Sequence, residues 1–551
     1  MVVFTEKERS ILENIVTNVD GNIFVITGLP PELTGALLAR YSRAATGFKE
    51  TILKEFVDSE GNFKVEKGSD VLDRILNQFG DESVGELSGG TALCLENVSN
   101  LVTKIVEDRR IGGSPIEKST RYVVYDQKTN GEWSYLKPKD IMQSNVAGLY
   151  VSTMDFVFET YALMVQPMKE LFQKRLPTDK FVISVERNGN RIDNVHENEL
   201  INDEERKAFK NAYTFTIRSA VCDIIRCVLP AATTTNVGLS GNGRFYTNLV
   251  SKMMSMELQE ANDAALLAKT ELDKVIPTFV KRAAKNTYLV ETNDNMRRLA
   301  DELLGLVPIE KEKELVMFED KPEDFLNNLV AEMLFPYSRL PTSQLRDAVK
   351  SFPKSVMNEV INTYIGNRRN KKDRPERSLE FGYPIRFDIV GGFAEYRDLQ
   401  RHRMLTQQRQ ELGVDLGYSI PEEINEIGFL SQVKDCFGKA EHLHSELKRS
   451  GFRDEAQYAA LFNHFIRWTM GMNPRELEHL TELRSQKAGH PRYRRVAQNM
   501  AKMYLEKHPE MEPLLHYVDY SDDGNKIARA ETEARTAYKS LVSGVENDSD
   551  E

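Results

Sequence analysis

Residues 39–56 read ARYSRAATGFKETILKEF, and residues 335–352 read FPYSRLPTSQLRDAVKSF. Each stretch carries Tyr-Ser-Arg, at Tyr41–Arg43 and Tyr337–Arg339, ahead of a run with helical apolar spacing. Such self-similarity changes how every later motif is counted, because a duplicated unit presents each motif twice. Two further markers recur in the same order. An Arg-rich cluster follows an apolar segment as EDRRIGGS around Arg109 and as QRHRMLTQ around Arg401. Asn-x-Arg appears as Asn242-Gly243-Arg244 and again as Asn473-Pro474-Arg475. The recurrence predicts two related halves, 1–305 and 306–540, with a segment of about 123–215 added to the first and an acidic tail at 541–551. The junction, GLVPIEKEKELVMFEDKPED, is charged and broken by Pro308 and Pro322, as a connecting stretch would be.

The 551 residues suffice for about two to four domains, and 40% apolar with 28% charged residues places the chain among folded globular proteins. Periodicity favours helix in 242–276 and 473–486, and strands in GNIFVITGLP, RYVVYD, KFVISV and YPIRFDIVGG, so the expected class is helix-rich α+β. A net charge of -11 gives no bulk attraction for a polyanion, so any anion site must be local. The basic run at 368–374 has no interleaved aromatic residues and reads as a solvated loop, leaving no nucleic-acid role. Four scattered cysteines suit free buried thiols in a reducing cytoplasm rather than a disulfide framework. MVVFTEKERS lacks an apolar leader, and Tyr150–Met164 is interrupted by Asp155 and Glu159, so no membrane segment is expected. His442 and His444 are two apart and face different sides of a helix, a poor ligand pair, so no metal is expected. The glycines of 238–243 lack the Lys-Ser/Thr ending of a phosphate loop and read as a turn exposing Asn242 and Arg244.

Arg401-His402-Arg403, with Arg397 and Gln400 beside them, is the most informative cluster. Guanidinium groups stay charged and present planar forks of donors, so several converging arginines make a clamp for phosphate or for heterocycle oxygens. From these residues alone, a solvated basic turn at a helix end is the more ordinary reading. The first-half counterpart, DRRIGGSPIEKSTRY, offers Arg109, Ser114, Glu117, Ser119 and Arg121 around a Gly-Gly turn where backbone can approach a ligand.

These segments resemble the signature of the flavin-dependent thymidylate synthases, Arg-His-Arg-x-x-Ser-x-Asn-x-x-Ser-x-Arg, often with Glu after the Asn and a final Tyr. The second half keeps Arg401, His402 and Arg403, with Thr406 for the first Ser, but shows Gln408, Glu411 and Gly413 at the later positions. The first half keeps Arg109, Ser114, Glu117, Ser119, Arg121 and Tyr122, but has Arg110, Ile111 and Ile116 where His, Arg and Asn belong. Downstream, Arg226 before Leu229-Pro230 leads to Asn242 and Arg244 at the family spacing, with Met253 in place of a later Arg. Asn473, Arg475 and Leu483-Arg484 fit in the second half, where Gln457 replaces the early Arg. The losses are complementary.

The resemblance implies two tandem thymidylate-synthase-like units that convert dUMP to dTMP with FAD, methylenetetrahydrofolate and NADPH, without a protein nucleophile. It implies that Arg401, His402, Arg403, Asn473 and Arg475, with Asn242 and Arg244, hold FAD. Glu117, Ser119, Arg121, Arg226 and Arg484 would hold the nucleotide. It further implies a homodimer reproducing the family's tetramer. The alternative is a duplicated relative that has lost turnover and binds nucleotide or flavin, or serves structurally.

Overall fold

The computed structural model describes residues 4–64, 67–68, 71, 87, 90–109, 111–188, 190–309, 314–319, 321, 324–369, 375–382, 385–521 and 529–543. Arg110, Pro322, residues 370–374 of the basic run and the tail from 544 lie outside them.

Strand-forming residues collect into two four-stranded antiparallel sheets. The first contains β1 (Ile23–Ile26), β2 (Thr91–Ser99), β3 (Gly113–Glu117) and β6 (Thr234–Gly241), ordered β1-β2-β6-β3. The second contains β7 (Leu315–Glu319), β8 (Ile385–Gly392), β9 (Thr406–Arg409) and β10 (Phe465–Met472), ordered β7-β8-β10-β9. Counted within its own half, each sheet has the same order: first, second, fourth, third. Between them in sequence, β4 (Ile183–Arg187) and β5 (Asn190–Val195) form a separate hairpin inside the added segment.

The helices that frame the site are α1 (Asn100–Glu107), α2 (Ala147–Arg175), α3 (Asp203–Ile225), α4 (Gly243–Met253), α5 (Gln259–Asp273) and α6 (Thr287–Leu304). Those of the second half are α7 (Phe393–Leu399), α8 (Leu430–Arg449), α9 (Pro474–Ser485), α10 (Pro491–Lys507) and α11 (Arg529–Ser543). The fold is therefore helix-rich α+β, built of two tandem units. Helix α11 returns to the first half and packs on β4 and α3, where Ala537 joins Phe181, Val185 and Phe209 in a small core.

The halves share one core rather than touching at a surface. The largest apolar cluster runs from Val102, Phe158 and Leu239 to Phe393, Phe437 and Trp468. The segments before β6 and β10 pair antiparallel through a bridge at Pro230 and Leu461. Ala231 N donates to Ala460 O at 2.8 Å, and Phe462 N donates to Leu229 O at 2.8 Å. Each of these two bonds is the other with the halves exchanged, which is the pattern of an isologous two-fold contact. It makes Arg226 and Gln457 equivalent positions.

Several expectations from the sequence change: the junction read as a connecting stretch holds β7, and the helix read over 242–276 is two, α4 and α5, broken after Met253. RYVVYD is not a strand, because Tyr122 N and Val123 N both bond back to Ser119 O at 3.2 and 3.1 Å, turning the chain where Arg121 points inward. The glycines at 238 and 241 lie within β6 rather than a turn: a Cβ at 238 would meet Leu38 at 2.7 Å, and one at 241 would overlap the Phe245 ring. No helix among the described residues is long and apolar enough to cross a membrane.

Candidate functional site

Strand register aligns the two partial signatures. Ser114 lies opposite Ser240, two residues before Asn242, and Thr406 lies opposite Gly471, two residues before Asn473. Ser114 and Thr406 are therefore equivalent, and so are Glu117 and Arg409, Ser119 and Glu411, and Arg121 and Gly413.

Glu117 ends β3 and is buried. It accepts from Thr103 Oγ1 at 2.7 Å, Lys104 Nζ at 2.8 Å and Arg397 Nη2 at 3.1 Å. Burial alone pushes its pKa up, but the charges of Arg397 and Lys104 outweigh this and bring it down to about 2. Arg397 comes from α7 of the second half and also donates to Thr120 Oγ1 at 3.0 Å. Gln400, next along, donates to Asp108 Oδ1 at 2.7 Å and Lys104 O at 3.0 Å. The second half's basic cluster thus closes on the first half's carboxylates, and Lys104 also pairs with the buried Glu107.

Arg401-His402-Arg403 divides by burial. His402 is 4% exposed, while both arginines face solvent. Burial, then the Arg484 charge, holds its imidazole well below the usual range. The ring is neutral: Arg484 Nε donates to His402 Nε2 at 3.0 Å, so the proton sits on Nδ1 and is donated to Glu476 Oε1 at 3.0 Å. Asn473 caps α9 by accepting from Glu476 N at 3.0 Å, which ties His402, Asn473, Glu476 and Arg484 together. The neighbouring Arg403 Nη2 donates to Ser114 Oγ of the first half at 2.6 Å. Asn242 N in turn donates to Gly112 O at 3.1 Å, beside Ser114, and Asn242 caps α4 through Phe245 N at 3.0 Å. Residues 402 and 403 thereby join the two Asn-x-Arg helices. Arg244 and Arg475 occupy the first turns of α4 and α9 with exposed side chains. Exposed guanidiniums at two helix N-termini suit a diphosphate-bearing group such as FAD. The Gly-Gly turn faces the chain's own side chains: Gly112 at φ 81° leaves room for Asn242, and a Cβ at Gly113 would overlap the Phe245 ring.

The remaining arginines form a second, buried cluster. Arg121 Nε and Nη2 donate to both oxygens of Asp223 at 2.7 and 2.8 Å, and Nη1 reaches Tyr493 Oη at 3.4 Å. Arg226 Nη2 donates to Asp398 Oδ2 of the second half at 2.9 Å, and its Nε has no hydrogen-bond partner among the described residues. Each carboxylate feels both guanidiniums. These charges overcome the upward push of burial and lower both pKa values. Ser119 Oγ accepts from Arg121 N at 3.2 Å. The structure thus gathers Ser119, Arg121 and Arg226 here and Arg484 beside His402, while Arg397 joins Glu117 to the second half. A buried donor left over among arginines fits an anionic ligand.

His490 closes this cluster and caps α10 by accepting from Arg492 N at 3.2 Å. Burial pushes its pKa down to about 3. A histidine held neutral in the fold but protonated when unfolded contributes stability that is lost as pH falls below about 6.5. His490→Asn keeps a capping oxygen without the titration. Relative to that variant, the wild type should lose about 2 kcal/mol of unfolding free energy between pH 7 and 5. Equal losses in denaturant titrations at the two pH values would contradict this placement.

Asp223, Asp398, Glu476 and Lys104 were not singled out by sequence reasoning. Asp223 inside VCDIIRCVLP and Lys104 inside NLVTKIVE carried the available signal, a charge flanked by apolar residues and sharing its run with one opposite charge, Arg226 and Glu107 respectively, which folding must pair. All four cysteines are buried and free, and among the described residues no cluster of His, Cys, Asp and Glu could hold a metal.

A family model described as thymidylate synthase complementing protein matches residues 30–278 and 374–510. The chain is 36% identical to a UPF0159 protein of Chlamydia muridarum, over 97% of this chain and 98% of that one. It is 35% identical to one of Chlamydia pneumoniae, over 94% and 96%, and 29% identical to one of Thermoplasma acidophilum, over 92% and 98%. No solved structure matches the chain.

Proposed function

Because the chain belongs to the thymidylate synthase complementing protein family, we propose that it methylates dUMP to dTMP with FAD, methylenetetrahydrofolate and NADPH. Two units, 1–305 and 306–540, build the site together. Bound FAD would supply hydride transfer, and the chemistry needs no protein nucleophile. The chain's own residues bind, orient and exclude water. Arg401, Arg403, Arg475 and Arg244 hold the flavin's diphosphate, with His402, Asn473 and Asn242 fixing the backbone around it. Ser119, Arg121 and Arg226 receive the nucleotide phosphate, while Glu117, kept ionised by Lys104 and Arg397, accepts from the base or sugar. Arg484, oriented by His402, lies toward the base. A homodimer in a reducing cytoplasm suits the buried thiols and the doubled unit.

The observation that supports this most is the bond from Arg403 to Ser114, since it joins the surviving Arg-His-Arg of one half to the surviving Ser-x-x-Glu-x-Ser-x-Arg of the other. A second reading, binding without turnover, is favoured by Asp223, which already engages Arg121 through two bonds. The two readings separate on the purified protein. The enzyme should be yellow and oxidise NADPH faster when dUMP is added, whereas a colourless protein that still binds dUMP supports the second. Arg403→Ala should weaken FAD binding by about 1.5–3 kcal/mol, through loss of a charge-assisted contact, with dUMP affinity retained in direct titrations. Unchanged flavin affinity would contradict Arg403's assignment.

A further inference from the structure

The two-fold relation of the halves places a second pocket where Arg409, Glu411 and Gln457 stand at the positions of Glu117, Ser119 and Arg226. These three line a cavity of about 150 Å³ whose wall includes Leu101 and Ile105 of α1. Two of the cationic positions are lost, Arg226 becoming Gln457 and Arg121 becoming Gly413. A Cβ at 413 would lie 2.5 Å from the Arg339 guanidinium, so a side chain there requires Arg339 to move aside. Arg339 is itself committed to Asp415 and to Glu411 O at 2.9 Å.

The pocket contains a cation from elsewhere. Helix α6, which precedes the junction of the halves, delivers Arg297 into the cavity. Its guanidinium meets Glu257 at 2.8 Å and both Glu411 and Asp454 at 3.5 Å. Asp294, one turn earlier on α6, adds a fourth carboxylate to the lining. Four carboxylates against Arg297 and Arg409 leave the cavity net negative, the reverse of what a phosphate requires.

We propose that the chain's own α6 has taken over this second pocket, with Arg297 as its occupant, so that each chain binds one nucleotide rather than two. The site count rests on the reading of the Arg121 and Arg226 pocket as the nucleotide site. The occupancy by Arg297 does not.

Calorimetric titration of the full-length protein with dUMP should give one site per chain, and two sites would overturn the proposal. Arg297→Gln removes the charge among partly buried carboxylates and should lower Tm by about 2 °C or more, with dUMP stoichiometry and affinity unchanged within twofold. Arg297→Lys, which keeps the charge, should recover part of that loss and serves if the glutamine variant does not fold. If the wild type binds no dUMP, the nucleotide reading fails. The melting comparison then decides the occupancy alone, and an unchanged Tm in Arg297→Gln overturns it.

Discussion

Arg121→Ala should remove dUMP binding, by 100-fold or more in affinity on the order of two lost charge-assisted contacts. It should also destabilise the fold by about 3–5 kcal/mol, because Asp223 would remain buried without its partner. Both carboxylate oxygens bond Arg121, and the two side chains are only 10% and 14% exposed. The two effects come apart in the double variant Arg121→Met with Asp223→Leu. Removing both charges eliminates the uncompensated carboxylate, so stability should return while dUMP binding stays absent. Chemical denaturation with titration calorimetry reads both quantities. A double variant that regained dUMP affinity would separate Arg121 from nucleotide recognition.

Lys104→Met is expected to have the next largest effect, about 3–5 kcal/mol of stability, measured by denaturant unfolding. Lys104 is fully buried between Glu107 and Glu117, and the two carboxylates differ in what remains to them. Glu117 keeps Arg397 and Thr103, but Glu107 Oε1 already has no hydrogen-bond partner among the described residues. Burial raises the Glu107 pKa even with Lys104 present. A carboxylate whose folded pKa exceeds its unfolded value binds protons more readily when folded, so stability recovers as pH falls toward about 4.5. The Lys104→Met defect should therefore narrow from pH 7 to pH 5, and Lys104→Met with Glu107→Met should recover most of it. A defect independent of pH and of Glu107 would contradict the pairing.

Much of this arrangement could be read before any coordinates. The Tyr-Ser-Arg, Arg-cluster and Asn-x-Arg markers are short-range patterns, and each half places its Arg cluster ahead of the third strand and its Asn-x-Arg after the fourth. Asn242 and Asn473 announce themselves because an N-cap is a local requirement, satisfied within three residues. Strands β2, β6 and β10 were harder to see. TALCLENVS is buried nearly throughout and TTNVGLSG is glycine-rich, so neither alternates polar and apolar residues as a half-exposed strand does. Partners were hidden for a different reason. Arg226 finds Asp398, and Arg397 finds Glu117, across more than a hundred residues, and no spacing rule reports a contact made by packing two halves together. RYVVYD misled because β-branched and aromatic residues there fill a core beside a turn.

The central claim is that one chain's two incomplete signatures make one working site, with Arg403 from the second half and Arg121 from the first. Formation of dTMP from dUMP by the full-length protein, supplied with FAD, methylenetetrahydrofolate and NADPH, tests it most directly. The wild type should turn over, Arg403→Ala should lose about 10-fold or more, and Arg121→Ala about 100-fold or more. No dTMP from the wild type, or full activity in either variant, would contradict it.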